Sequence, residues 1–262
     1  MHSQLVIAQV PGPDPKQPRI KYHTILVVLT HADDYLSIAP LLARYAAGRH
    51  NVHYAIFNGE PDSVMLQPGG KKHAELLCAA KILGLKEPII FTGSASVNVS
   101  GQNTIAQKTI RMISQIKPDV MITWAPDDLT AHPWHILIGE IVTRVFQQQY
   151  LLEHQLKKLY YIAYPQSRIA GKQTSFGEMD QDIENFGSVP DSFISTIIEG
   201  KNFLLQTREA IACHKHPNGK LNKEWQEKWY VRLSAVLDGK VFLRRAYPYT
   251  NEKETDIFHG LQ

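Results

Sequence analysis

The sequence predicts an α/β fold, a mostly parallel sheet flanked by helices. Three observations carry that prediction. From Tyr22 onward, short apolar runs alternate with segments whose apolar residues recur at helical spacing. The first run, Ile25-Leu26-Val27-Val28-Leu29, is apolar at every position, as a strand covered on both faces must be. The chain has 262 residues and is 44% apolar, enough for one sizeable core with a modest extension.

Taken in order, residues 1–21 read as an arm. Leu5 to Val10 is apolar but too short for the core of a signal peptide, and Pro11, Pro13, Pro15 and Pro18 then resist helix formation. Strands are expected near 24–30, 52–57, 88–91, 119–124 and 159–163, and helices near 35–48, 71–83, 103–116 and 135–150. After Tyr164 the pattern loosens into a long loop over 165–192, rich in glycine and acids, of the kind that forms lids. Helical spacing resumes over 194–214 and 222–237, and Val241-Phe242-Leu243 suggests a last strand. Residues 22–262 thus read as a single domain whose part from about 165 covers the site. Trp225, Trp229, Tyr247 and Tyr249 are expected to pack, and His214 to cap a helix end.

Composition excludes several classes. A net charge of +3, with the 12 histidines counted neutral, is too small for a nucleic-acid-binding surface. No stretch approaches the ~20 apolar residues that cross a bilayer. Two distant cysteines, Cys78 and Cys213, do not make a disulfide framework and suggest a reducing, cytoplasmic setting. Cys78 falls in an apolar helical pattern and reads as a buried, inert thiol.

Two polar clusters carry the chemistry. Thr30-His31-Ala32-Asp33-Asp34 follows the first strand and opens a helix, and His132-Pro133-Trp134-His135 does the same after Val120 to Trp124. In open α/β sheets ligands bind at the carboxyl ends of strands. His31 and Asp34 are three apart, so both can point to one side, and they lack one donor for a Zn²⁺ site. One of His132 or His135 can supply it, leaving an open position, the arrangement of a catalytic metal. A nucleotide-binding reading would need a glycine-rich turn after the first strand, but the turn here has no glycine and its carboxylates repel phosphate.

These two clusters resemble the PIG-L/LmbE family of zinc-dependent deacetylases, which carries His-Pro-Asp-Asp-Glu after its first strand and His-Pro-Asp-His further on. Asn58-Gly59-Glu60, Glu75 through Gly84-Leu85, Lys117-Pro118-Asp119-Val120 and Lys201 to His214 are similar to other family segments in the same order. The resemblance runs from about Ile25 to His214. It implies a Rossmann-like, LmbE-like sheet with a C-terminal helical and strand extension. It further implies Zn²⁺ on His31, Asp34 and His135, with Asp33 as general base and His132 assisting at the oxyanion or leaving group, and it makes His214 an active-site candidate beside its capping role. The implied substrate is a small N-acetylated molecule, an amino sugar or related amide, and homo-oligomers are compatible with it. The chain departs from the family at Ala32 for proline, Tyr35 for glutamate, Trp134 for an acid and Lys72 for arginine. These changes touch groups that orient ligands, and a family member that binds metal without hydrolysis is the rival reading. Asp127 or Asp128 is a candidate to replace the missing acid beside His132.

Overall fold

A computed structural model of the chain describes residues 21–58, 66–92, 98–127, 132–169, 188–215 and 222–261. The proline-rich arm and much of the 165–192 loop lie outside the described residues. Seven strands form one sheet: β1 (Thr24–Leu29), β2 (Asn51–Asn58), β3 (Ile89–Thr92), β4 (Val120–Thr123), β5 (Lys158–Ile162), β6 (Thr196–Glu199) and β7 (Lys240–Tyr247). Their order is β3-β2-β1-β4-β5-β7-β6. The first five run parallel, and β7 is antiparallel to both β5 and β6.

The helices are α1 (Ala39–Ala47), α2 (Lys71–Leu83), α3 (Val99–Ile116), α4 (Pro133–Gln147), α5 (Gln166–Ile169), α6 (Leu204–Ile211) and α7 (Lys223–Val231). Side chains alternate across a strand. Ile25, Val27 and Leu29 therefore join a core with α1, α2 and the C-terminal elements, while Leu26 and Val28 join a second core under α3 and α4. Ile25 to Leu29 are all 0% exposed, which explains why β1 needs an uninterrupted apolar run. α2 stops at Gly84, whose φ of 75° is left-handed and closes the last turn onto Ala80 and Lys81.

Three expectations are corrected. Residues 194–214 are not one helix, because Thr196–Glu199 is an edge strand. Thr196 and Ile198 are buried while Ile197 and Glu199 face out, a two-residue period in a β-branched stretch that outweighs the weaker helical spacing. The helical stretch at 222–237 divides into α7 and a five-residue π turn, Arg232–Val236. Finally, Cys78 and Cys213 are joined in a disulfide between α2 and the end of α6. Cys78 is exposed rather than buried, and the premise for a reducing compartment is gone. A separation of 135 residues hid the pair, since only the packing of α6 on α2 brings the two sulfurs together.

A buried carboxylate ties the C-terminal segment to the sheet. Glu254 is 3% exposed and accepts from Lys158 Nζ at 2.7 Å, Arg245 at 2.6 Å, Tyr160 Oη at 2.8 Å and Thr196 Oγ1 at 3.2 Å. Burial opposes its ionisation, but the bonds from Lys158 and Tyr160 and the nearby cations outweigh this and hold its pKa below the ordinary value. Its contribution to stability is therefore complete above the ordinary carboxylate range and is lost as pH falls through the lowered folded value. Glu254→Ala leaves the Lys158 ammonium buried without its carboxylate, and urea unfolding near neutral pH is expected to show a loss of about 3–5 kcal/mol.

Candidate metal centre

In this strand order β1 has β2 on one side and β4 on the other. The crossover direction reverses between β1 and β4, and a crevice opens at their carboxyl ends. Both polar clusters sit there. Thr30 to Asp34 leave β1 and enter a 3₁₀ turn, Asp34–Ile38. Asp33 occupies the N-cap position, yet its side chain makes no capping bond. His132 and His135 open α4. Pro133 suits the first helical position, and the residue before a proline is pushed out of the helical region, so His132 is extended at φ −74°, ψ 117°.

Asp34 is the best-held side chain of the site. Its Oδ2 accepts from Thr30 N at 3.0 Å, Thr30 Oγ1 at 2.6 Å, His31 N at 2.8 Å and Trp124 Nε1 at 3.0 Å. With Oδ2 so occupied, Oδ1 is turned toward the histidines. It lies 3.2 Å from His31 Nδ1 and 3.4 Å from His135 Nε2, and those two nitrogens are 3.2 Å apart. Tetrahedral Zn²⁺ with bonds of about 2.0–2.1 Å separates its ligand atoms by about 3.4 Å. The three donors thus have the spacing that one small divalent cation requires. His132 stands beside them. One nitrogen from each of His31, His132 and His135 lies within 4.8 Å of the others.

Surrounding groups fix these side chains. The Trp124 indole stacks on the His135 ring at 4.3 Å, with 12° between planes, so one side chain orients both His135 and Asp34. Tyr54 Oη donates to the His31 carbonyl at 2.9 Å. Gly139, one turn after His135, sits where an added Cβ would meet Trp124 O at 2.6 Å, so only glycine lets α4 approach the end of β4 this closely.

Electrostatics separates the two aspartates. Burial opposes the charge of Asp34, but hydrogen bonds and charge from His135 and His31 prevail and hold its carboxyl well below the usual range. Asp33 moves the other way: burial and the neighbouring Asp34 charge raise it, with His214 opposing. The His31 imidazole is raised in turn, since the bond to Asp34 and its charge outweigh burial.

Asp33 lines a cavity of about 350 Å³ together with His31, Asn58, Lys72 and Glu75. The opposite wall comes from beyond residue 165: His214, Lys215, Asn222 and Trp225. His214 does not act as a simple cap. It is buried, and its Nε2 is 2.7 Å from Tyr35 Oη while its Nδ1 is 3.7 Å from Glu75. Tyr35, where the family pattern has glutamate, therefore still engages a histidine of the site. Trp134 packs against the α3–α4 core. Asp127 does not replace the missing acid, because its carboxylate is bound by both terminal nitrogens of Arg244. Asp128 lies outside the described residues. Of the four aromatics expected to pack, Trp229 is buried, Trp225 borders the cavity, and Tyr247 and Tyr249 are exposed.

Residue 34 was legible in the sequence; its holders were not. Thr30 lay in the polar cluster without an assigned part and Trp124 read as an ordinary strand residue; their one signal was position just past the carboxyl ends of β1 and β4.

Residues 26–146 match the PIG-L family, described as GlcNAc-PI de-N-acetylase. The chain carries a PIG-L family domain. It is 26% identical to 1D-myo-inositol 2-acetamido-2-deoxy-alpha-D-glucopyranoside deacetylase of Acidothermus cellulolyticus, over 91% of this chain and 95% of that one. The Rhodococcus jostii deacetylase of the same name is 24% identical, covering 72% and 80%. Among solved structures, N,N'-diacetylchitobiose deacetylase from Pyrococcus horikoshii superposes with a TM-score of 0.59 at 15% identity, covering 91% of each chain. The 4-carboxy-2-hydroxymuconate hydratase of Pseudomonas putida reaches 0.60 at 14% identity, over 88% of this chain and 99% of that one. At such identities these two show a shared fold and no more, and the hydratase shows that the fold alone does not choose the reaction.

Two outcomes follow for the metal centre. Trp124→Phe removes the indole donor to Asp34 while keeping a ring over His135, and competition titration with a chromophoric chelator should show about a 10–100-fold loss of metal affinity. Gly139→Ala pushes α4 off β4, and the same titration should register weaker metal binding with the far-ultraviolet circular dichroism unchanged.

Proposed function

We propose that this chain is a Zn²⁺-dependent N-deacetylase that hydrolyses the N-acetyl amide of an amino sugar. The observation that carries the reading is the triangle of His31 Nδ1, Asp34 Oδ1 and His135 Nε2, with Asp33 beside it on the cavity. The donor set, two imidazoles and one carboxylate, suits Zn²⁺. The named activities of the curated relatives supply the substrate class: both act on a 2-acetamido-2-deoxy-glucopyranoside.

His31, Asp34 and His135 would hold the ion. When bound, Zn²⁺ makes water a better nucleophile near neutral pH and polarises the amide carbonyl. The remaining work falls to side chains. Asp33 takes the proton of the attacking water and passes it to the departing amine. Burial raises the pKa of this carboxyl, which favours its taking up that proton. His132, beside the three donors, donates a hydrogen bond to the oxygen that gains charge as the carbonyl is attacked. Asn58, Lys72, Asn222 and Trp225 present hydrogen-bonding groups and one aromatic face to the body of the substrate. The Tyr35–His214 bond supports the active reading over the inactive one. Substitution of the usual glutamate has left a buried, partnered hydroxyl there.

Asp33→Asn separates these roles. The variant is expected to keep one Zn²⁺ per chain by elemental analysis while acetate release from N-acetylglucosamine derivatives drops by about 10²–10⁴. Loss of zinc, or undiminished release, would remove Asp33 from the part given to it. Failure of the wild-type protein to release acetate from any N-acetylated sugar would sink the deacetylase reading.

A further inference from the structure

We propose that the Cys78–Cys213 disulfide is a positioning crosslink for the Glu75–His214 wall of the site, and that its reduction by a dithiol loosens that wall and slows the enzyme. Glu75 and Cys78 are three apart in α2, so they share a helix face. Cys213 directly precedes His214. The bond therefore joins the neighbour of one wall residue to the helix face that bears the other. Around it lie the weaker contacts that complete the wall. Lys215 N donates to Glu75 Oε1 at 3.1 Å, His214 Nδ1 lies 3.7 Å from Glu75 Oε2, and Tyr35 Oη lies 2.7 Å from His214 Nε2. His214 and Lys215 come after the last turn of α6; the His214 amide still donates to Ile211 O at 3.1 Å and its carbonyl accepts from Gln226 Nε2 at 2.8 Å, while Lys215 lies beyond that last helix bond.

The bond is also reachable. Cys78 is exposed. Both cysteines line a groove of about 560 Å³ on the far side of the wall, and this groove shares Glu75 and Lys215 with the cavity. Lys71 and Lys215 border it as well, and cationic neighbours favour the thiolates that exchange requires. The exchange balances without a further reactant. One thiolate of the dithiol attacks the Cys78 sulfur, and Cys213 departs as thiolate and takes a proton. The second thiol then displaces Cys78, and the reductant leaves as a cyclic disulfide. Two electrons have passed to the protein. The wall meets the turn that carries Asp34 through Tyr35, but Asp34 itself is held by Thr30, His31 and Trp124, and His132 and His135 open α4, so the change falls on the substrate side of the site and leaves the ligands in place.

The effect on turnover rests on the deacetylase reading; the effect on the wall does not, and the experiment keeps them apart. Full-length protein is treated with tris(2-carboxyethyl)phosphine, thiols are counted, and amide hydrogen exchange is followed over the peptide ending in His214 and Lys215. Zinc content, circular dichroism and acetate release are measured on the same samples. The expected result is two thiols per chain, exchange at Lys215 faster by about tenfold or more, and kcat lower by about 10–100-fold. Zinc content and circular dichroism stay unchanged, and both exchange and kcat recover on reoxidation. Cys78→Ser should match the reduced wild type from the start and should not respond to the phosphine. Unchanged exchange and kcat with two thiols exposed would overturn the proposal. So would loss of zinc or of the fold on reduction, since the bond would then be a general brace. If neither redox form releases acetate, the deacetylase reading fails, and exchange at Lys215 alone decides this one.

Discussion

The site depends on how one carboxylate is held. Four donors converge on Oδ2 of Asp34, two of them backbone amides of the β1 turn and one the indole of Trp124 from the end of β4. A carboxylate with one oxygen so engaged cannot rotate. Its other oxygen must face His31 and His135. The same bonds help to offset the cost of burying the charge, and His135 and His31 keep Asp34 ionised while Asp33, one residue earlier, is pushed toward protonation by burial and by Asp34. Two adjacent aspartates thus acquire opposite tendencies from their surroundings.

The sheet makes that convergence available. β1 and β4 are neighbours although 90 residues of chain separate Asp34 from Trp124. Their turns meet because the crossover direction reverses between them, which opens a crevice at that edge. Packing sets the fine distance. Gly139 allows α4 to rest on the last residues of β4, and this carries His135 onto the Trp124 ring. The precision of the metal centre thus rests on a close helix–strand approach as much as on its ligands.

The rest of the cavity comes from the C-terminal part, secured in two ways. Glu254 gathers Lys158, Tyr160, Thr196 and Arg245 and clamps the segment after β7 to the sheet. The Cys78–Cys213 bond joins α6 to α2 near the wall. Together they bring His214 and Trp225 opposite Asp33. Tyr35 then meets His214 across 179 residues of sequence.

The sequence by itself determined the alternation of strands and helices, the uninterrupted apolar core strand, and the two turns that carry His31, Asp33, Asp34, His132 and His135. These rest on local periodicity and on short-range spacing, which a chain displays without folding. Family resemblance chose His135 over His132 as a ligand, and local pattern had left that open. Tertiary structure decided the rest. The edge strand at Thr196–Glu199 is short enough for a helical pattern to mask it, and it becomes a strand only by pairing with β7. The partners of Asp34 come from the turn after β1, the residue just past β4 and the start of α4. The disulfide and the Tyr35–His214 bond each span more than a hundred residues. Contacts at that range leave no local signature, since the distance between two residues along the chain says nothing of where packing will place them.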